Sequence, residues 1–180
     1  MVRVCLAAVG PLEPGAVAAI GRGLPAAFPC KVLDEGLTLD PGFAFDARRQ
    51  QYWSTPILER LEAARPAGTD AVLGITEVDL FIPILTFVFG EALLSRPPAL
   101  ISLHRLRPSF YGLPEDPALV LERARREAVH ELGHVLGLVH CQDYGCIMRA
   151  SRAAEEIDLK GPGFCPQCAA VLEAQGGGRR

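Results

Sequence analysis

The chain has 180 residues, 49% of them hydrophobic, with a net charge of −3 and a pI near 5.8. That length suits one domain with a sizeable core, expected over residues 1–175, and the lack of a basic excess argues against a nucleic-acid partner. The apolar run "LFIPILTFVFG" at 80–90 is too short to span a bilayer and contains Pro83, so no membrane anchor is expected.

The opening "MVRVCLAAVG" reads as a buried strand over 2–9 and not as a secretory signal. Gly10 and Pro11 follow it at once, and a basic lead, a longer apolar run and a cleavage site are missing. A cytoplasmic protein is expected on this ground, and there thiols stay reduced and clustered cysteines favour metal over disulfides. Residues 15–24 read as a small-residue helix before Pro25, and 30–35 as a second strand, with a loop through Gly42. Residues 45–64 are helical in composition, and Pro56 must kink that helix or begin a second segment. Residues 70–80 read as a third strand, so the order is β-α-β-α-β, which predicts parallel strands joined by right-handed crossovers. The runs 85–94 and 99–107, joined by "SRPP", suggest an antiparallel pair and hence a mixed sheet with one antiparallel edge strand. His104 lies in the second of these runs and is expected to be a structural histidine. The end of the chain, 176–180, reads as a flexible tail.

The next helix carries the chemistry. Asp116 is placed to cap its start, with Pro117 at the first helical position, and Gly137 to end it in the left-handed conformation. Val120, Ala124, Ala128, Leu132 and Leu136 recur every fourth residue as a core-facing stripe. Glu127, His130, Glu131 and His134 lie roughly opposite, toward a second wall or a cleft. His130 and His134, one turn apart, can offer ring nitrogens to one zinc, while Glu131 beside them can reach a water there as general base. An unbroken helix would carry His140 ~9 Å past His134, so a sharp turn at Gly137 is needed to bring it to the same ion. The extended pattern His130-Glu131-x-x-His134-x-x-Gly137-x-x-His140 matches the metzincin signature, with Met148 eight residues on as the Met-turn candidate.

Cys141, Cys146, Cys165 and Cys168 are spaced to chelate one tetrahedral ion, and a closed four-sulfur shell would make it structural. Two disulfides or free thiols are the competing reading. Cys5 and Cys30 sit in apolar strand contexts and read as core thiols.

"HELGHVLGLVHCQDYGCIM" followed by "CPQC", residues 130–168, resembles the archaemetzincins, a branch of the metzincin metallopeptidases, with weaker likeness through "FVFGEA" at 87–92. The resemblance implies an α/β fold (α+β in some schemes) in which a twisted mixed sheet lies above a cleft and the active-site helix at its base, with a Met-turn and a C-terminal helix. It implies two zinc ions per chain, a catalytic one on His130, His134 and His140 and a structural one on Cys141, Cys146, Cys165 and Cys168. Glu131 would be the base and Met148 the Met-turn residue.

The expected activity is a zinc metallopeptidase acting on a peptide or protein substrate. Glu131 would take a proton from the attacking water and pass it to the leaving amine. With no propeptide in view, a restricted cleft acting on short or selected peptides, for example as an aminopeptidase, fits better than broad proteolysis. The alternative is a zinc-containing peptide-binding module with little turnover. Residues 85–92 are a candidate edge for a peptide to pair with, or an ordinary protected edge. Tyr144 reads as a packing or surface residue sooner than an oxyanion stabiliser.

Overall fold

β1 (Val2–Val9) and β5 (Ala71–Thr76) are apolar on both faces, and such strands need cover on both sides. In the computed structural model they form the middle of a five-stranded sheet. It describes the backbone of residues 1–176 and, but for residues 34, 35, 175 and 176, their side chains. The strand order is β2-β1-β5-β8-β7, where β2 is Cys30–Leu39, β7 Gly90–Ala92 and β8 Pro98–Ser102. All pairings are parallel except β7 with β8, so the expected mixed sheet with one antiparallel edge is present.

One face carries α1 (Ala16–Ala27) and α3 (Pro117–Val135), packed through Leu6, Ile20, Leu24, Leu73, Ile101, Ala124, Ala128 and Leu132. The other face carries α2 (Ser54–Ala64), packed through Ile57, Leu58 and Leu61 on Ala7, Val72 and Leu100. A second, three-stranded sheet of β3 (Phe45–Asp46), β4 (Gln51–Trp53) and β6 (Leu80–Phe81) adjoins it. Two short helices, α4 (Ala154–Asp158) and α5 (Pro166–Gly176), complete the chain as described.

Several elements differ from the expectation. Residues 45–64 are two short strands and a helix, because Asp46 Oδ1 accepts from the amides of Arg48 and Arg49 at 2.8 and 3.1 Å and Gln50 turns left-handed at φ 56°. The helix begins only at Ser54, so Pro56 sits in its first turn, where a missing N–H is harmless and no kink follows. The segment 70–80 divides into β5 and β6, which belong to different sheets. Of 85–94 only Gly90–Ala92 is strand, and of 99–107 only the part to Ser102. His104–Leu106 is a turn of 3-10 helix, with the His104 amide bonded to Ser102 Oγ at 3.1 Å. β2 runs on to Leu39, and α1 passes through Pro25. The tail at 177–180 lies outside the described residues. Among the described residues no helix is long and apolar enough to cross a membrane.

Candidate metal centre

α3 starts and stops where its residue types dictate. The Asp116 carboxylate accepts from the Leu119 amide at 3.0 Å, which satisfies one of the open donors of the first turn. At the other end Gly137 adopts φ 89°. Gly137 N–H donates to His134 O and Leu138 N–H to Gly133 O, both at 2.9 Å, the paired bonds that close a helix on a left-handed residue. The chain therefore reverses, and the His140 ring comes back to the other two. The three ring centroids lie 4.8, 4.9 and 5.3 Å apart.

The tautomers follow from the partners. His130 Nδ1 is 2.8 Å from Ile147 O, and His134 Nδ1 is 2.8 Å from Leu138 O. A carbonyl only accepts, so both Nδ1 atoms carry the proton and both Nε2 atoms present lone pairs. Those two Nε2 atoms face each other at 3.2 Å. Burial holds all three imidazoles below their usual pKa, His130 furthest, which keeps them neutral. Facing lone pairs repel unless a cation lies between them. Two nitrogens on a tetrahedral zinc, each at ~2.0–2.1 Å, would stand about 3.3 Å apart. The donor set and its spacing fit that ion.

The same test applies to the cysteines of the second cluster, none of which is in a disulfide. The sulfurs of Cys141, Cys146, Cys165 and Cys168 gather within 4.8 Å of one another. Cys141 to Cys165 is 3.8 Å and Cys146 to Cys168 is 3.7 Å, far beyond a disulfide. Two thiolates on a tetrahedral zinc at ~2.3 Å would be about 3.8 Å apart. Burial raises the pKa of Cys146 and Cys168, whereas a hydrogen bond from the Cys168 amide lowers that of Cys165; a bound dication would hold all four as thiolates. The two clusters are stitched together, since Cys141 N–H donates to Met148 O at 2.9 Å and Ile147 N–H to Gly163 O at 3.0 Å. Met148 itself is fully buried beneath α3, where an added Cβ on Gly133 would meet its sulfur at 2.3 Å.

Glu131 points at the edge strand. A Cβ on Gly90 would lie 2.7 Å from Glu131 Oε1 and 2.8 Å from Leu100 O, so only glycine lets β7 come this close. Burial lifts the Glu131 carboxyl well above the usual range, and the charges of Glu127 and Glu91 push it the same way. Glu127, one turn earlier, is buried against Lys160 Nζ at 3.4 Å. Between α3 and residues 82–92 runs a cleft of about 500 Å³, which reaches His130, His134, His140 and Glu131.

A family model described as Peptidase family M54 matches residues 42–174. The chain belongs to peptidase family M54, the archaemetzincins. An archaemetzincin of Methanocaldococcus jannaschii is 40% identical over 178 residues, covering 98% of this chain and 96% of the relative. The crystal structure of archaemetzincin from Methanopyrus kandleri superposes with a TM-score of 0.81 at 34% identity, covering 97% of this chain and 94% of that one. A zinc-dependent peptidase from Methanocorpusculum labreanum gives 0.83 at 30% identity, covering 94% and 99%. This M54 chain is thus a zinc metallopeptidase with the metzincin-like mixed sheet.

Of the residues singled out from sequence, the three histidines, the four cysteines, Glu131 and Met148 come together. Two others do not. Tyr144 is 77% exposed under the Arg149 guanidinium, 3.6 Å from the ring centre, and does not line the cleft. His104 packs edge-on to Phe110, in a 3-10 turn and not the expected strand. Sequence reasoning missed Gly90, Gly133 and Lys160. Lys160 is one of only two lysines, and a lone lysine in a loop gives no signal of burial.

Proposed function

We propose that this chain hydrolyses peptide bonds with Glu131 as the general base, one zinc on His130, His134 and His140, and a second, structural zinc on Cys141, Cys146, Cys165 and Cys168. The observation that carries the reading is the pair of unprotonated Nε2 atoms facing each other at 3.2 Å, with Glu131 against the adjoining edge strand. Zinc bound there would supply a Lewis acid for the scissile carbonyl and for the water that attacks it. Glu131 takes the proton of that water on a carboxylate oxygen and returns it to the amine that leaves. Its carboxyl lines the cleft beside the three histidines, placed to hold that proton between the two transfers. The Ile147 carbonyl, next to the buried Met148, holds His130 in its orientation.

β7 supplies the means of alignment. Ser102 N–H donates to Phe89 O, so Phe89 and Ser102 form a hydrogen-bonded pair, and by alternation so do Glu91 and Leu100. The N–H and C=O groups of Gly90 and Ala92 then point to the outer edge, where an extended peptide pairs with them across the cleft. One short edge strand and a cleft of about 500 Å³ suit short or selected peptides, aminopeptidase action included.

The test is a short-peptide library with the zinc-loaded chain and a Glu131→Ala control. Cleavage by the parent and none by the control supports the reading. Binding of the same peptides by both, with cleavage by neither, replaces it with a peptide-binding module. Metal analysis should find two zinc ions per chain, one lost with His140→Ala and the other with Cys165→Ser.

A further inference from the structure

We infer that Arg49, Gln51, Asp79 and Arg105 form one positioning network that fixes the wall of the cleft over residues 82–89. Through that wall it selects peptides with a bulky apolar side chain beside the scissile bond. The inference rests on the peptidase reading above and names its substrate class.

The wall has little means of holding its own shape. Pro83 has no N–H to give, and Ile84 at the tip is 86% exposed. Beyond Ser102 N–H to Phe89 O at its far end, the segment has Leu85 N–H to Ile82 O and Val88 N–H to Leu80 O, both 3.0 Å. Its other anchors come from side chains distant in sequence. Arg49 Nη2 donates to Leu85 O at 2.7 Å and to Thr86 O at 3.2 Å. Gln51 Nε2 donates to Thr86 O at 3.0 Å and to Asp79 Oδ2 at 2.9 Å, and Arg49 Nε donates to Gln51 Oε1 at 3.2 Å. Asp79 accepts both arms of Arg105, at 2.6 and 2.7 Å. The Arg105 guanidinium lies 4.2 Å from the centre of the Phe87 ring and 4.8 Å from that of Phe110. The Arg49 guanidinium lies 4.2 Å from the Phe81 ring.

These contacts grip the wall from behind at two successive carbonyls and one ring. Two planar guanidiniums, each stacked and hydrogen-bonded at once, leave the segment few alternatives. Apart from the uncharged Thr86, the side exposed to the cleft is hydrocarbon, from Ile82, Leu85, Phe87, Val88 and Phe89, with Phe87 and Phe89 edge to face at 5.2 Å. The acidic residue that follows, Glu91, is occupied, since its carboxylate accepts from the Ser54 and Thr55 hydroxyls. A substrate side chain that meets this wall meets no free charge, so apolar groups gain and polar groups lose. The network touches neither the histidines nor Glu131, so its effect falls on binding and not on the chemical step.

The experiment uses the full zinc-loaded chain. In a Glu131→Gln background, which removes turnover, affinities are measured for a hexapeptide with leucine on both sides of its central bond and for its serine counterpart. The parent background is expected to favour the leucine peptide at least tenfold. Adding Arg105→Met, or Arg49→Met, should cut that preference below threefold by weakening the leucine peptide alone, with zinc content unchanged. Arg49→Lys should restore more of it than Arg105→Lys, because a lysine at 49 can still donate to the wall carbonyls while one at 105 cannot span Asp79 with two arms. With Glu131 intact, KM for the leucine peptide should rise about tenfold and kcat change less than twofold. A preference that survives both methionine variants overturns the inference. So does a parent with no preference, or an equal weakening of both peptides. If Arg105→Met does not fold, Arg49→Met decides alone. A leucine preference lost in the variants, with neither peptide cleaved by the Glu131-intact chain, would retire the peptidase reading and leave the wall assignment standing.

Discussion

Replacing Lys160 by methionine should destabilise the chain far more than a typical lysine substitution. The Lys160 side chain is 1% exposed and that of Glu127 5%, with Nζ and Oε1 3.4 Å apart. Burial already raises the Glu127 carboxyl pKa, and Lys160 is what pulls it back. Without the cation a buried carboxylate stands alone, at a cost of about 3–5 kcal/mol. In a domain of this size that is a fall in Tm of roughly 6–20 °C. The pH dependence has a definite sign. A carboxyl whose folded pKa lies above its unfolded value contributes stability at low pH and loses it as pH rises through the folded pKa. The deficit of Lys160→Met against the parent should therefore widen from pH 5.5 to pH 8 and shrink in acid. The pair Glu127→Leu with Lys160→Met should cost less than Lys160→Met alone, because two apolar groups leave no orphan charge. Thermal unfolding followed by circular dichroism, at one fixed free-zinc concentration, measures all three proteins. A Lys160→Met deficit under about 1 kcal/mol at pH 8, or a double variant less stable than the single, would refute the reasoning.

Gly90→Ala should lower kcat/KM on a cleaved peptide by roughly a hundredfold, since the added carbon meets Glu131 and a backbone carbonyl below 3 Å. Metal analysis of that variant should still find both zinc ions. Gly133→Ala sets a helix gain of about 1 kcal/mol against overpacking of about 1–3 kcal/mol on a fully buried Met148. The net should be a loss in urea unfolding, and a gain would mean that the Met148 side chain moves aside freely. Cys165→Ser should remove one zinc of two by metal analysis and lower peptide cleavage through the Met148–Cys141 connection.

The active-site helix was legible because three independent signals agreed on it: Asp116 at its start, a four-residue apolar rhythm, and Gly137 at its end. The return of His140 could be argued from geometry alone, since a straight helix cannot deliver it. The cysteine cluster was legible from spacing. The cleft wall was not, because the apolar residues of 85–94 look like a strand while the carbonyls of Leu85 and Thr86 go to Arg49, more than thirty positions earlier. Residues 45–53 misled in the opposite direction, as one aspartate turn outweighed a helical composition. Gly90 and Gly133 matter for what a β-carbon would strike, and no pattern along the chain encodes that.

His140 and Cys141 are consecutive residues that answer to different clusters, so their α-carbons stand ~3.8 Å apart whatever else moves. Every displacement of the sulfur knot is handed on to the third imidazole with almost no slack. An oxidant that paired Cys141 with Cys165, or Cys146 with Cys168, would draw sulfurs now 3.7–3.8 Å apart to ~2.05 Å, and would reach the histidine triangle mechanically without touching it.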